Sequence, residues 1–344
     1  SAVQFLVAIH VVSDTAQAYL VPATTLLACG LVYLILLRGA GGVDRIAKIL
    51  VAHVFVGLWM LYIIMSRRWD ALVHAVPAYA SSDHIWNMTT GIEIGISTSL
   101  SWWPYLGAMI RMTPSGRKAS VPSILGLGMS VAVLSIIGVA GILVLQVSDP
   151  AQWLRVVGGP AYAVIALGFV TAANLGTTVT GIYCSAIGMR HFKPLENIRW
   201  SFLLLLMIAP VAIVGVFLPN LFFNNFGTFL AFIGVTFSPL CGIQIADYYV
   251  LRRRNISIRA IFSNSSQGAY WFWGGFNPAA FLGMLAGVLT YAYLLNPIAY
   301  VSHFPYQYIS ASIPTLCVSG FVCWLVSILF VKPAGRGGYN SPDK

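Results

Sequence analysis

Glu93, Ser97, Ser101, Pro104 and Ala108 follow one another at steps of 4, 4, 3 and 4 residues, so a helix carries all five on one face. Glu93 is the one acidic residue well inside an apolar run. A carboxylate deep in hydrocarbon costs about 3 kcal/mol on insertion scales and normally faces a bundle interior or a wet cavity. Such a group can accept hydrogen bonds from a substrate or carry a proton. Nearer the outer boundary it would simply be solvated, and the sequence leaves both readings open. Ser99 lies on the same segment, and Trp102 and Trp103 follow it directly. An indole stacks well on a flat heterocycle, although it also serves as packing or as an interfacial belt. Pro104 removes a backbone hydrogen bond in mid-run, which predicts either a broken helix or a simple kink. A second stripe, Thr171, Asn174, Thr178, Gly181 and Ser185, repeats the pattern with steps of 3, 4, 3 and 4. One amide among hydroxyls can both donate to and accept from the polar edge of a ring. Hydrogen bonding between helices is the alternative use.

The elements that position these side chains are long apolar helices. The chain of 344 residues is 58% hydrophobic and 8% charged, whereas a soluble domain carries about 25% charged residues. Its mean hydropathy is +0.83. Such a chain cannot cover itself in water, so its solvent is lipid. Nine runs approach the roughly 20 residues that a hydrocarbon core requires, near 18–37, 46–65, 90–110, 122–146, 160–188, 200–218, 226–250, 277–295 and 310–331. Residues 1–13 are apolar but too short to span, and read as the end of a helix that starts upstream. The first residue is Ser with no basic segment before the apolar start, so no secretory signal is expected, and a fragment or processed chain is.

The 19 Lys and Arg residues fall in alternate gaps between the runs. Sixteen lie in one set of gaps, from Arg38, Arg45 and Lys48 to Lys332, Arg336 and Lys344. Arg67, Arg68 and Arg155 make up the other set. The asymmetry puts the first set and the C-terminus in the cytoplasm, and the start of the chain outside. It also accounts for the net charge of +10 without a nucleic-acid partner. The five cysteines lie in or beside apolar runs without a CxxC, and read as small buried hydrophobes, not metal ligands or disulfides. No Walker loop, GxSxG, HExxH or paired intramembrane carboxylate is present. An integral-membrane enzyme would need titratable groups clustered at one face, and here 9 acidic residues and 6 His are scattered.

Two longer stretches are more specific. Ala246-Asp247-Tyr248-Tyr249-Val250-Leu251-Arg252-Arg253 closes the seventh run, and Tyr270-Trp271-Phe272-Trp273-Gly274-Gly275-Phe276-Asn277-Pro278-Ala279-Ala280 opens the eighth. With Ser101-Trp102-Trp103-Pro104 followed by Arg111, they resemble the first nucleobase:cation symporter family, permeases for purines, cytosine, allantoin, hydantoins and some vitamins. The likeness extends from about residue 20 to 331. These stretches have plain structural uses too. Asp247 near a helix C-terminus opposes the macrodipole and should pair with Arg252 or Arg254. Tyr248, Tyr249, Trp271 and Trp273 suit an interfacial aromatic belt. Asn277 before Pro278 reads as an N-cap followed by Pro at the first helical position. Gly283 and Gly287 predict close helix packing.

The resemblance implies an all-α polytopic membrane protein of the inverted-repeat, leucine-transporter type. It implies that residues 1–344 form one integral-membrane transporter domain, with the nine runs as family helices four to twelve and the first three absent. The third run then corresponds to family helix six and the fifth to helix eight, which carries a substrate-contacting Asn at Asn174. The expected substrate-binding set is Glu93, Ser97, Ser99, Ser101, Trp102, Trp103, Asn174 and Thr178. A broken helix at Pro104 would turn freed backbone groups toward the ligand. Sodium-coupled members place hydroxyl residues just before that Asn, whereas this chain has Ala172 and Ala173. Thr171 is the nearest side-chain oxygen to a cation site, and a co-transported proton is favoured over sodium. The family's acidic residue near the inner end of helix six is Ala108 here. The implied activity is uptake of an N-heterocycle by cation symport and alternating access, without cofactor or metal. A truncated permease that binds but does not transport is the alternative, beside the membrane enzyme.

Overall fold

Backbone in hydrocarbon has no partner but itself, so apolar runs of this length fold as helices. The computed structural model describes residues 14–78, 81–146, 150–261, 265–266 and 268–339. The expected short segment at residues 1–13 lies outside them. In chain order the main elements are α1 (Asp14–Leu36), α2 (Ala40–Val73), α3 (His84–Leu100), α4 (Trp103–Ile110), α5 (Gly116–Ser123) and α6 (Ser130–Leu145). They continue with α7 (Pro150–Gly158), α8 (Pro160–Met189), α9 (Trp200–Phe217), α10 (Phe226–Ile245), α11 (Pro278–Leu294) and α12 (Ser312–Val326). A π-helical turn, Ile124–Met129, joins α5 to α6; others extend α10 through Leu251 and α12 through Val331. Among the described residues, extended pairing is limited to the isolated bridges Trp273–Phe276 and Leu295–Ser302.

Seven helices among the described residues are long and apolar enough to cross a membrane: 19–36, 40–73, 116–145, 160–189, 200–217, 226–251 and 312–331. The other two expected runs differ for identifiable reasons. The run at 90–110 is divided between α3 and α4 at Ser101 and Trp102, because Pro104 has no N–H to give the Leu100 carbonyl. The run at 277–295 becomes α11, whose 17 residues are fewer than the roughly 20 that a hydrocarbon core requires. Its start is fixed by Asn277, whose side chain accepts from Ala279 N and Ala280 N with Pro278 at the first helical position, as the sequence predicts.

The chain divides into two compact units. Unit 1 is Ser1–Ala78 with Pro104–Phe223. One of its cores gathers Met60, Ile64, Ile137, Trp153, Leu154 and Ala163 from α2, α6, α7 and α8. Another gathers Val32, Leu36, Val179, Tyr183, Leu203 and Leu204 from α1, α8 and α9, with Tyr105, Ala108 and Met109 of α4 packed against it. Ala108 is thus a packing residue within this unit.

Unit 2 is Tyr79–Trp103 with Asn224–Lys344. Here α10, α11 and α12 cross tightly on small residues. A Cβ on Gly287 would come within 2.5 Å of Pro239 Cβ, and one on Gly283 within 2.8 Å of the Ser319 carbonyl oxygen. The GxxxG on α11 therefore does what its spacing predicts: it lets backbones approach where packing, not water exclusion, holds helices together. Outward-facing Phe281, Leu285 and Leu289 remain exposed, as lipid-facing positions do.

Candidate substrate site

The helix α3 begins at an N-cap that the sequence supplies. Asp83 accepts from Ile85 N at 2.9 Å and Trp86 N at 3.1 Å. One face of α3 is then tied to the 291–312 segment. Trp86 Nε1 donates to Ser302 Oγ at 2.8 Å, and Thr89 Oγ1 to the Gln307 carbonyl at 2.6 Å. Tyr306 Oη donates to Thr90 Oγ1 at 3.1 Å.

Glu93 completes this face. It is 2% exposed, so the solvated reading of its position does not hold. Its Oε1 accepts from Tyr291 Oη at 2.9 Å and Ser312 Oγ at 2.6 Å. Its Oε2 accepts from Ala311 N at 3.1 Å and Ser312 N at 3.0 Å, the backbone donors at the start of α12. A helix N-terminus is a ready anion site, because its orphan N–H groups and its dipole both favour negative charge. Ser97, one turn on, is buried as well. The hydroxyls of Ser97 and Tyr291 crowd the Gly234 backbone, where a Cβ would meet them at 2.8 and 2.5 Å.

The last turn of α3 differs. Ser99 is exposed and its Oγ donates back to the Gly95 carbonyl at 3.0 Å. Ser101 is half-buried and donates to the Thr98 carbonyl at 2.6 Å. Each hydroxyl donates within the helix and keeps its lone pairs for an external donor. Trp102 and Trp103 are half-buried at the break. Glu93 and Ser97 thus sit in a packed polar cluster, whereas Ser99, Ser101 and the indoles occupy the more open end of the same segment.

On α8 of unit 1, Thr171 and Asn174 are exposed and Thr178 is half-buried. Thr178 Oγ1 donates to the Asn174 carbonyl at 2.8 Å. The helix runs unbroken through Ala172 and Ala173, so the carbonyls there lie within the helical ladder.

The basic end of α10 in unit 2 holds a second polar cluster. Arg252 Nε donates to Asp247 Oδ2 at 2.7 Å, with the two side chains 7% and 31% exposed. Tyr339 Oη donates to Asp247 Oδ1 at 2.7 Å. The Arg252 guanidinium lies over the Tyr270 ring at 4.4 Å and the Tyr339 ring at 4.7 Å. Burial, then the Asp247 charge, pushes the Tyr339 phenol above its ordinary range. A cavity of about 420 Å³ lies beside this pair, lined by Gln244, Asn277 and Phe272 among others. The sequence foresees a partner for Asp247 in Arg252 or Arg254, and the structure pairs it with Arg252, five positions on. Tyr291, Ser312 and Tyr339 carry no such signal: their partners are remote in the chain, and each reads as an ordinary helix or tail residue. Among the described residues no group of His, Cys, Asp and Glu is placed to hold a metal.

Comparison with known proteins matches residues 16–322 to the family described as permeases for cytosine/purines, uracil, thiamine and allantoin. A purine-uracil permease of Arabidopsis thaliana is 24% identical over 253 residues, 67% of this chain and 41% of that protein. An allantoin permease of Bacillus subtilis is 36% identical over 61 residues, 18% of this chain and 12% of that protein. A hydantoin permease of Microbacterium maritypicum is 34% identical over 92 residues, 26% and 18% of the two chains. The chain therefore matches 41% or less of the length of these relatives. With a family match over most of its length, apolar helices able to cross a membrane and a helix broken at a Trp pair, this chain belongs to the cytosine/purine, uracil, thiamine and allantoin permease family.

Proposed function

We propose that this chain is part of a secondary active transporter that takes up a nucleobase or related N-heterocycle by cation symport, through alternating access. The observation that supports it best is the interruption between α3 and α4 at Ser101–Trp102, with two half-buried indoles, in a chain of this permease family. In this reading Trp102 and Trp103 supply flat faces for stacking on a ring. Ser99 and Ser101 supply acceptors, and Asn174 with Thr178 supplies donors and acceptors for a ring edge. Asn174 and Thr171 are exposed side chains on a membrane-length helix, and polar groups at such positions favour a bundle interior or a wet cavity over lipid. The relatives named for purine and uracil, allantoin and hydantoin support this substrate class. The coupled ion is a proton, because Ala172 and Ala173 bring no side-chain oxygen beside Asn174 and leave Thr171 as the nearest. The chain is integral to the plasma membrane with its C-terminus cytoplasmic, as the charge asymmetry favours.

Uptake of radiolabelled uracil, hypoxanthine and allantoin by the full chain, with and without sodium, tests this. Saturable uptake that follows a proton gradient and ignores sodium is expected. Uptake of no heterocycle ends the reading, and strict sodium dependence overturns the proton assignment. Asn174→Ala should abolish uptake with membrane insertion intact; unchanged uptake in that variant removes Asn174 from the site.

A further inference from the structure

Glu93 is the most buried acidic side chain among the described residues, and all four of its hydrogen bonds join α3 to elements roughly 200 residues away. We propose that Glu93 is a positioning residue: an acceptor pin that seats the start of α12 and fixes α3, and with it the Ser101–Trp103 break, within unit 2.

Three observations carry this. First, the carboxylate is saturated. Two backbone N–H groups face Oε2 and two hydroxyls face Oε1, all between 2.6 and 3.1 Å. No acceptor site is left for a substrate donor at normal geometry. Second, the donors come from separate elements: Tyr291 from α11, and Ala311 and Ser312 from the start of α12. One side chain therefore couples three segments. Third, the pin ends a row of bonds from Trp86, Thr89 and Thr90 along the same face of α3. The chain leaves unit 2 at Trp103, so this row, together with packing against α10, ties α3 into that unit.

The chemistry of the two oxygens separates pinning from proton carriage. In Glu93→Gln the amide oxygen can take the place of Oε2 and accept from Ala311 N and Ser312 N. The amide N–H₂ then faces the Tyr291 and Ser312 hydroxyls, which can turn to accept. Gln keeps the pin and cannot carry a proton. In Glu93→Ala four buried donors lose their acceptor at once.

The test uses the full chain and both variants, in two measurements. The first is thermal unfolding in detergent. The second is uptake of radiolabelled uracil and allantoin across a range of external pH. Uptake presupposes the transporter reading; unfolding does not. Glu93→Gln is expected to melt within a few degrees of the parent, with uptake within about threefold and the same pH profile. Glu93→Ala is expected to melt at least about 5 °C lower and to lose more than tenfold in uptake. Ser312→Ala should fall between them in melting temperature. A Gln variant that folds as the parent does but loses uptake or its pH dependence overturns the proposal in favour of direct proton or substrate chemistry. An Ala variant as stable as the parent also overturns it, as does a Gln variant that fails to fold. If the parent transports no heterocycle, the transporter reading fails and the melting series alone decides the pin.

Discussion

Unit 2 neutralises two carboxylates in opposite ways. Asp247, near the basic end of α10, meets a full positive charge on Arg252 and a phenol from Tyr339, and stays about one-third exposed. Among the described residues Glu93 forms no ion pair; two backbone N–H groups and two hydroxyls surround it, and it is 2% exposed. An ion pair with one partner partly exposed is partly screened by solvent. A carboxylate in a dry interior depends on every donor it has, because an unmet partner there bears its full desolvation cost. The less conspicuous of the two clusters is therefore the more consequential for the fold.

Substitutions can break this contrast, in decreasing order of effect. Glu93→Ala should destabilise unit 2 by more than about 3 kcal/mol, read as a lower melting temperature, because four donors are stranded. Gly234→Ala comes next, at about 1–3 kcal/mol. Its Cβ would press on Tyr291 Oη and Ser97 Oγ and shift the phenol away from Glu93. A parent-like melting curve for Gly234→Ala would mean that the cluster yields easily and the pin is loose. Asp247→Asn should have an effect of about 1 kcal/mol, since the site is partly exposed and an amide oxygen still accepts from Arg252 or Tyr339. A loss as large as that of Glu93→Ala would erase the contrast. Tyr339→Phe is smallest, at about 0.5–1 kcal/mol for one hydrogen bond.

That last variant has a pH signature. The folded state holds the Tyr339 phenol above its ordinary value through burial and the nearby carboxylate. Its contribution is complete below about pH 10, the ordinary phenol value, and is lost as pH rises toward the raised folded value. Tyr339→Phe should remove that part of the alkaline instability, measured by melting temperature against pH.

Much of this was legible in the residues themselves. Apolar runs bounded by clustered Arg and Lys mark helices in lipid, because hydrocarbon admits no unpaired backbone. Asn277-Pro278 foretold the start of α11, and Asp247 foretold a pair with Arg252 or Arg254, of which Arg252 forms it, because caps and near-neighbour pairs are set within a turn or two of chain. Pro104 marked where a helix would break or kink, and it divides there, since the missing N–H is a property of that residue alone. Three motifs placed the family.

What Glu93 does was not written there. The steps from Glu93 to Ser97 and Ser101 put all three on one helical face, but a periodicity says nothing about what that face meets. The structure divides them: Glu93 and Ser97 lie in a packed cluster, and Ser101 lies at the break. Its partners Tyr291, Ala311 and Ser312 stand 198 to 219 residues away. One reads as a helix Tyr and two as small residues near a helix start. Local sequence fixed which segments become helices, because backbone hydrogen bonding and side-chain transfer into lipid act residue by residue. Only the packed fold decided which buried donor met which acceptor, because that choice depends on distances between helices that no single stretch of chain contains.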